Sequence, residues 1–413
     1  MSPIRIQGED IASVLPPGGV TFVQGCSGHS DLLASAVMAA GPAIGAMTFT
    51  GIFVPGLNRA TWLANPECRV RTYFMTPELK AAGDAVDFLP LCYADILSDL
   101  RGMRIDAALF MVSPPDERGI CSFGPVVDFL ADIWPDIPVR IAHINPNMPR
   151  TTGQPGIPFE ALTAFVEAEV PLPAMCPAPD SLLAERIGAH IAPFIGDGST
   201  VQTGLGKIPD AVLRALSGRR ELRIHSGLIG DAVLNLLAAG VLAPGISIQG
   251  GVAIGSPALY AAIDGPAFSF KPVAYTHDPR VIGAIPRFVT INSALEVDLF
   301  GQAYGELSPS GWMSGPGGAT DFARGARVGG GLRIVALPAD ASSGDITRIV
   351  APGLGAGPVS LGRMDIDIVV TEHGAADLRG LGHGDRAERL LSVASPRHRP
   401  ALRTQWRDYA RNL

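Results

Sequence analysis

The amino-acid sequence predicts an α/β protein with two similar open lobes, each built on a mainly parallel sheet. Apolar, β-rich runs such as "GVTFVQG" and "IDAALFMVS" alternate with helical segments in the first half, which is typical of parallel strands covered by helices. The alternation resumes after a Pro-rich passage at 169–181. There, "STVQTGLGKIPDAVLRAL" repeats the order of strand, Gly-containing turn and helix seen in "VTFVQGCSGHSDLLASAVMAA". Such an echo indicates two related lobes.

The individual elements follow from local patterns. First-half strands are predicted in "GVTFVQG", "GAMTFTGIFV", "CRVRTYFM", "IDAALFMVS" and "VRIAHINPNMP", which are apolar and rich in β-forming residues. The second half begins with a helix, "SLLAERIGAHIAPFI", followed by a strand and a helix with Ile208, Val212 and Leu216 on one face. Later strands are predicted in "RFVTINSALEVDLFG", "LRIVALPA" and "IDIVVTEHG", and the end "RHRPALRTQWRDYARNL" indicates an amphipathic helix.

Length and composition indicate two domains. The 413 residues correspond to two or three domains of about 150 residues each. The Pro-rich passage "EVPLPAMCPAPDS" reads as a linker, because prolines interrupt regular structure. A hydrophobic share of 47% with only 17% charged residues favours a folded enzyme over a disordered chain. We therefore expect domains at 1–180 and 181–413.

Charge and cysteine usage exclude several function classes. The net charge is -7 and no block of Lys and Arg could neutralise a run of phosphates, so nucleic-acid binding is not expected. The N-terminus lacks the features of a secretion signal, and no uninterrupted apolar run reaches membrane-spanning length. Five scattered cysteines form no CxxC pair and no zinc spacing, which favours a reduced cytoplasmic compartment and no metal.

Two glycine clusters in the second half could hold a ligand. Gly204 and Gly206 lie between a predicted strand and helix, where backbone N–H groups can approach an anion or a polarised carbonyl. Tight strand-to-helix packing explains such a turn equally, and Pro209 occupies the last glycine position of a dinucleotide fingerprint. "SGPGGATDFARGA" at 314–326 could form a nest of N–H donors for a phosphate or an amide, or a surface loop.

Five blocks of the sequence resemble the acetyl-CoA hydrolase/transferase family, which includes 4-hydroxybutyrate and acetate CoA-transferases, and they occur in the family order. The resemblance covers nearly the whole chain, and several blocks in order are more specific than any single glycine motif. The blocks are "INPNMPRTTG" (144–153), "VQTGLGKIPDAVL" (201–213), "INSALEVDLFGQ" (291–302), "GPGGATDFARGA" (315–326) and "DIVVTEHGAADLRG" (367–380).

The resemblance implies an active site in the cleft between two similar lobes. It implies coenzyme A as a substrate, with an acyl-CoA and a carboxylic acid as small-molecule partners. It also suggests a homodimer, although the Gly- and Pro-rich surface could equally belong to a monomer. The residues that the resemblance assigns to coenzyme A are Gly204, Leu205, Gly206, Lys207, Ile208, Asn292, Gly315, Gly317 and Gly318.

The chain departs from the family pattern at Gly227. Transferases of the family resemble one another in a block that reads roughly His-Thr-Glu, whereas this chain has His225, Ser226 and Gly227 in "RIHSGLIGD". In those enzymes the glutamate carboxylate attacks the acyl-CoA carbonyl and becomes a glutamyl thioester. Glycine cannot do this, and no other Glu lies between Glu221 and Glu296.

A glycine at this position leaves three hypotheses. The vacant glutamate volume could admit the carboxylate of the substrate, which then attacks the thioester directly. Water could attack instead, which would make the chain an acyl-CoA hydrolase or a related acyl-cleaving enzyme. The chain could also bind acyl-CoA without catalysis.

The sequence offers candidate residues for these hypotheses. Catalytic candidates are Glu306, His225 and His29; a histidine after an apolar strand or beside a turn also has plain structural uses, and Glu306 could simply support the cleft. For the substrate we assign Gly227 together with Gly25 and Gly28, which belong to the first-half turn "GCSGHSD".

Overall fold

Large, mainly parallel sheets form the framework of the chain, which the computed structural model describes over residues 2–59, 61–176, 179–308, 311–341 and 344–411. Contacts divide the chain into two compact units. Unit 1 contains Met1–Cys176 and Ile248–Thr276, and unit 2 contains Pro177–Ser247 and His277–Leu413. The domain bounds of 1–180 and 181–413 stay a prediction, since units defined by contacts need not coincide with domains.

The first 176 residues supply the strands and helices of the larger segment of unit 1. The strands are β1 (Ile4–Arg5), β2 (Val20–Val23), β3 (Thr48–Gly51), β4 (Arg69–Thr72), β5 (Val86–Phe88), β6 (Ala107–Val112), β7 (Ile120–Cys121), β8 (Val139–Ile144), β9 (Ile157–Pro158) and β10 (Ala164–Glu167). The α-helices are α1 (Ile11–Val14), α2 (Asp31–Ala40), α3 (Pro77–Ala81), α4 (Tyr93–Gly102) and α5 (Leu130–Ile133).

The remaining elements continue in chain order. They are α6 (Leu182–Ile191), β11 (Thr200–Gln202), α7 (Lys207–Ala215), β12 (Arg223–Ile229), α8 (Ala232–Ala238), β13 (Ile248–Ala253), α9 (Pro257–Ala262), β14 (Phe268–Phe270), α10 (Val273–Thr276), α11 (Pro279–Gly283), β15 (Phe288–Ser293), β16 (Glu296–Asp298), β17 (Ala303–Tyr304), β18 (Leu307–Ser308), β19 (Gly311–Trp312), α12 (Ala319–Gly329), β20 (Leu332–Ala336), β21 (Ile349–Val350), β22 (Ile368–Thr371), β23 (Gly374–Asp377), α13 (His383–Val393) and α14 (Arg399–Ala410).

The large sheet of unit 1 is parallel throughout. Its strand order is β1-β10-β8-β6-β2-β3-β4-β5, and every neighbouring pair runs in the same direction. At its centre β6 is buried along its whole length, which matches its uninterrupted apolar sequence "AALFMV", because a central parallel strand is covered on both faces. The second segment of unit 1 adds β13 and β14, which pair in parallel with each other.

Unit 2 contains a second mainly parallel sheet. Within this unit the strands follow the order β12-β11-β15-β20-β22-β23, and only β23 runs antiparallel to its neighbour. The predicted fold class, α/β with mainly parallel sheets, is therefore confirmed. All the strands and helices predicted from local patterns contain observed elements of the same type.

Two local predictions in unit 2 are wrong in detail. The run "RFVTINSALEVDLFG" forms two strands, β15 and β16, because β16 leaves the large sheet to pair with β17 and β21. Asp231 precedes the apolar run "AVLNLLAAGVL", which predicts a helix cap, but it makes no side-chain capping bond at the start of α8. Its backbone is already helical, with φ -57° and ψ -27°, whereas a capping side chain needs an extended backbone.

The start of α2 joins a helix cap to a buried histidine. Ser30 Oγ accepts a hydrogen bond from the backbone N–H of Leu33 at 3.2 Å and bonds His143 Nδ1 at 2.9 Å. Both Ser30 and His143 are buried. Removing the hydroxyl therefore removes the cap and leaves a buried ring nitrogen without that partner.

We expect Ser30→Ala to lower the free energy of unfolding by about 2 to 3 kcal/mol, measured by urea denaturation. Thr76→Ala is the matched control, because Thr76 caps α3 through the N–H of Leu79 at 3.2 Å and has no such histidine. That variant should lose about 1 kcal/mol. Equal losses in the two variants would show that the bond to His143 contributes nothing.

Among the described residues, no helix combines the length and the apolar character needed to cross a bilayer.

Candidate active site

A polar cavity of about 150 Å³ lies within unit 2, beside the start of α12. The cavity is lined by the side chain of one acid, by serine hydroxyls and by a glycine-rich loop. These residues are Ser293, Glu306, Ser314, Gly315, Pro316 and Ser360. Two predicted site residues, Glu306 and Gly315, thus share one cavity.

Glu306 is held in this cavity by a short chain of hydrogen bonds. It lies between β17 and β18 and is only 4% exposed. Ser360 Oγ donates to Glu306 Oε1 at 2.7 Å and accepts from the backbone N–H of Gly305 at 2.9 Å. The carbonyl oxygen of Glu306 accepts from the N–H of Met313 at 2.7 Å. A carboxylate fixed in this way can accept a proton from a water or hydroxyl in the cavity.

The predicted glycine cluster at 314–326 has two different structures. Residues 314–318 form a loop in which Gly315 lines the cavity and Gly317 has a φ of +64°, a conformation that favours glycine. Gly318 is the N-cap of α12. The remainder is helix, and there Gly325 packs against Ile282, which lies 2.5 Å from where a Cβ would be.

A second cluster of unit 2 surrounds Gly227 on β12. A Cβ added to Gly227 would lie 2.6 Å from His277 Cε1 and 2.7 Å from His277 Nε2. A Cβ added to Gly318 would lie 2.5 Å from the same Nε2. Phe322 of α12 also neighbours the ring, with ring centroids 4.8 Å apart. An imidazole therefore fills the space immediately beside Gly227. The hypothesis of a vacant glutamate volume at this position does not hold for that space.

Burial decides the charge of this imidazole. His277 is 2% exposed, and desolvation together with the nearby His225 lowers its pKa to about 3. The ring is therefore neutral at physiological pH. His225 on β12 is equally buried and makes edge contacts with Phe288 and Phe322, at centroid distances of 6.1 and 6.3 Å. It belongs to this aromatic cluster and does not line the polar cavity.

The turn from β11 to α7 carries most of the residues assigned to coenzyme A. Gly204, Leu205 and Lys207 are exposed, and Ile208 is half-buried. Gly206 has a φ of +121°, and side chains added at Gly204 or Gly206 would meet nothing within 4 Å. The turn thus has open space beside a helix start, which suits an anion.

Asn292 of β15 is engaged within its own sheet. Its Nδ2 donates to Thr290 Oγ1 at 2.9 Å, and its Oδ1 accepts from Gln202 Nε2 at 3.5 Å.

The remaining predicted residues lie in unit 1. A Cβ at Gly25 would lie 1.8 Å from the carbonyl oxygen of Ile52, and one at Gly28 would lie 2.6 Å from Gln24 Cδ. These two glycines thus have a packing reason for lacking a side chain. His29 is 1% exposed, and its Nε2 lies 3.6 Å from Asp31 Oδ1. Burial lowers the pKa of His29, and the Asp31 carboxylate opposes that shift.

Comparisons with known proteins decide the family. A family model for the acetyl-CoA hydrolase/transferase C-terminal domain matches residues 255–406. The 4-hydroxybutyrate coenzyme A transferase of Clostridium kluyveri is 37% identical over 333 residues, which make up 78% of this chain and 77% of that protein. The chain belongs to the acetyl-CoA hydrolase/transferase family. The family membership predicted from the five sequence blocks is thereby confirmed.

Solved structures agree with this family assignment. The crystal structure of 4-hydroxybutyrate CoA-transferase from Porphyromonas gingivalis has a TM-score of 0.83 and 32% identity, covering 98% of each chain. RipA from Yersinia pestis has a TM-score of 0.89 and 25% identity, covering 98% of this chain and 97% of the other. As a member of this family, the chain is an enzyme of the CoA-transferase or acetyl-CoA hydrolase type.

Unit 1 contains an acidic residue with a strained backbone, Asp128, which the sequence analysis does not single out. Asp128 is 6% exposed and has a φ of +33°. Burial and the neighbouring Asp132 raise its pKa to about 8. Within the described part of the chain its Oδ1 has no hydrogen-bond partner. Cys26, which lines the same small cavity, has a φ of +54°, and burial raises its thiol pKa well above the usual range.

Two further residues at the unit 2 sites, His277 and Ser360, are not identified by the sequence analysis. His277 stands in "YTHDPR", and Ser360 lies 54 residues after Glu306. Neither stretch has a spacing that indicates a site, because both residues reach their neighbours only through the fold. In the ranges that the structure describes, no group of three or more His, Cys, Asp or Glu residues could hold a metal ion.

Proposed function

We propose that this enzyme transfers coenzyme A between an acyl-CoA and a carboxylic acid without a glutamyl-enzyme intermediate. The observation that carries the proposal is Gly227, which has no side chain and whose Cβ position is blocked by His277 at 2.6 Å. In the family pattern that this sequence resembles, the nucleophilic glutamate of the transferases would stand at this position. A direct reaction between the two substrates needs no such group.

The direct reaction balances without any enzyme nucleophile. The acceptor carboxylate attacks the thioester carbonyl, and CoA leaves as a thiolate, which produces a mixed anhydride. The thiolate then attacks the other carbonyl of the anhydride, so that the acceptor becomes the new thioester and the original acyl group leaves as a carboxylate. In this proposal the backbone N–H groups of Gly315, Gly317 and Gly318 and of the β11-α7 turn are the donors for the CoA phosphates and the developing oxyanion, since both segments lead into a helix.

Hydrolysis is the second candidate, and Glu306 favours it. Water must lose a proton as it attacks, and a buried carboxylate fixed by Ser360 at 2.7 Å can accept that proton. The cavity of about 150 Å³ is large enough for several waters. Transfer and hydrolysis would then differ only in whether a carboxylate or a water reaches the carbonyl first.

A panel of acyl-CoAs assayed with and without carboxylic acids tests the proposal. We expect acceptor-dependent formation of a new acyl-CoA, measured by liquid chromatography. Release of free CoA that does not depend on an acceptor would replace transfer by hydrolysis as the function. Tight binding of acyl-CoA with no turnover would overturn both.

A borohydride trap tests the mechanism in the same reactions. Borohydride reduces a glutamyl thioester to an alcohol, which mass spectrometry locates on a peptide. We expect no reduced glutamate in this enzyme, whereas a glutamate-bearing transferase of the family serves as the positive control. A reduced glutamate found after turnover would contradict the proposed direct attack.

A further inference from the structure

The imidazole of His277 lies where a side chain at position 227 would begin. Gly227 lies within β12, and its φ lies outside the left-handed range, so its backbone does not require glycine. What prevents a side chain is the imidazole, with Cε1 and Nε2 at 2.6 and 2.7 Å from the Cβ position. Real Cβ atoms do not approach other heavy atoms this closely, and an overpacked core costs stability.

Further residues enclose the ring on other sides. One of its neighbours is Gly318, whose added Cβ would lie 2.5 Å from Nε2 and 2.7 Å from Cδ2. Phe322 contacts the ring with a centroid distance of 4.8 Å and an interplanar angle of 53°. Next in the chain, Asp278 caps α11 through the N–H of Arg280 at 2.8 Å and so fixes the backbone beside His277.

We propose that His277 is the residue that excludes the glutamyl-enzyme route from this chain. Its imidazole occupies the volume into which a glutamate at position 227 would extend, so that Gly227 and His277 act as a matched pair. The inference rests on the proposed function, because it explains how that function came to need no enzyme carboxylate. It predicts that a carboxylate can return to position 227 only when the imidazole is removed.

The proposal also gives His277 a positioning role. Gly318, which the ring contacts, starts α12 and directly follows the cavity-lining loop of Gly315 and Pro316. The imidazole thus packs between β12 and the loop that the proposed mechanism uses for oxyanion stabilisation. Because burial lowers the pKa of His277, the ring fills this space as a neutral group.

Stability measurements test the matched pair without any assay of activity. We expect Gly227→Ala to lower the urea midpoint by about 0.5 M or more, and the same change in a His277→Gly background to lower it far less. Gly218→Ala is the control, because a Cβ at Gly218 meets nothing within 4 Å, and its midpoint should not fall. Equal effects of Gly227→Ala in both backgrounds would overturn the pairing.

A gain of covalent chemistry tests the excluded route. In the borohydride trap with acyl-CoA, we expect no adduct in Gly227→Glu and a reduced glutamate at position 227 in the double variant Gly227→Glu/His277→Gly. Circular dichroism and thermal melting establish that each variant is folded. An adduct in Gly227→Glu alone, or none in a folded double variant, would overturn the inference.

The two proposals can fail separately. An adduct on a native glutamate of the unaltered enzyme would contradict the proposed function, whatever the variants at positions 227 and 277 show. If the unaltered enzyme forms no adduct but the stability effects at the two positions simply add, only the role of His277 is overturned. His190→Gly controls for the loss of a histidine as such. His190 is half-buried in α6 and lies neither in the polar cavity nor beside Gly227.

Discussion

Glu306→Gln is expected to lower the acceptor-independent release of CoA by about 10²- to 10⁴-fold, the usual contribution of a general base. Acceptor-dependent exchange should change by less than about tenfold, since an acceptor carboxylate is already ionised and has no proton to lose. Glutamine keeps the size of the side chain and can still accept the Ser360 hydrogen bond of 2.7 Å. Both rates follow from the same acyl-CoA assay with and without an acceptor.

Glu372→Gln is the matched control for this prediction. Glu372 is another buried glutamate of unit 2, and its Oε2 accepts from the backbone N–H of Ala339 at 2.9 Å, but it does not line the cavity. Loss of that carboxylate should leave the ratio of hydrolysis to transfer unchanged. An equal fall of both rates in Glu306→Gln would show that Glu306 supports the site and does not activate water.

Asp128→Asn is expected to stabilise the protein at alkaline pH by about 3 to 5 kcal/mol and to have little effect near pH 4. In the folded protein the pKa of Asp128 is raised from 3.8 to about 8. Between these values the folded state binds more protons than the unfolded state. Stability therefore falls as the pH rises from about 4 to about 8, and the amide, which does not ionise, escapes this loss.

Urea denaturation at several pH values measures this effect. Asn also suits the backbone of Asp128, because it tolerates a positive φ better than most residues. Asp136→Asn serves as the control, because it removes an exposed carboxyl shortly after α5. This variant should keep the pH dependence of the unaltered protein. If Asp128→Asn retains the same slope between pH 5 and pH 8, the buried carboxyl does not govern the alkaline loss of stability.

Local patterns sufficed for the framework of the fold. The apolar run "AALFMV" predicts a buried strand because burial on both faces leaves no polar alternation. Gly204 and Gly206 predict a strand-to-helix turn, because they lie between an apolar strand and a helix with one apolar face. The sequence offers Glu306 only as a catalytic candidate that could also support the cleft, and the structure places it in a cavity with Gly315.

The partners of these residues could not be predicted in the same way. Gly227 is visible in the sequence, but the ring that lies against its Cβ position comes from His277, 50 residues later. Nothing in "YTHDPR" indicates that contact. Asp128 shows the same limit. Its pKa is raised mainly by burial in the folded unit and further by Asp132, and the sequence near Asp128 does not reveal that burial.

The division of unit 1 into two separate stretches of chain limits how early it can complete its folding during synthesis. Backbone N–H groups of Val127 and Asp128 donate to the carbonyl oxygen of Gly251, at 3.1 and 3.3 Å. Those bonds cannot form until the ribosome has released the later stretch, Ile248–Thr276. The nascent N-terminal segment of unit 1 therefore lacks these bonds while residues 177–247 are translated, and an incompletely folded unit is more open to chaperones or to self-association.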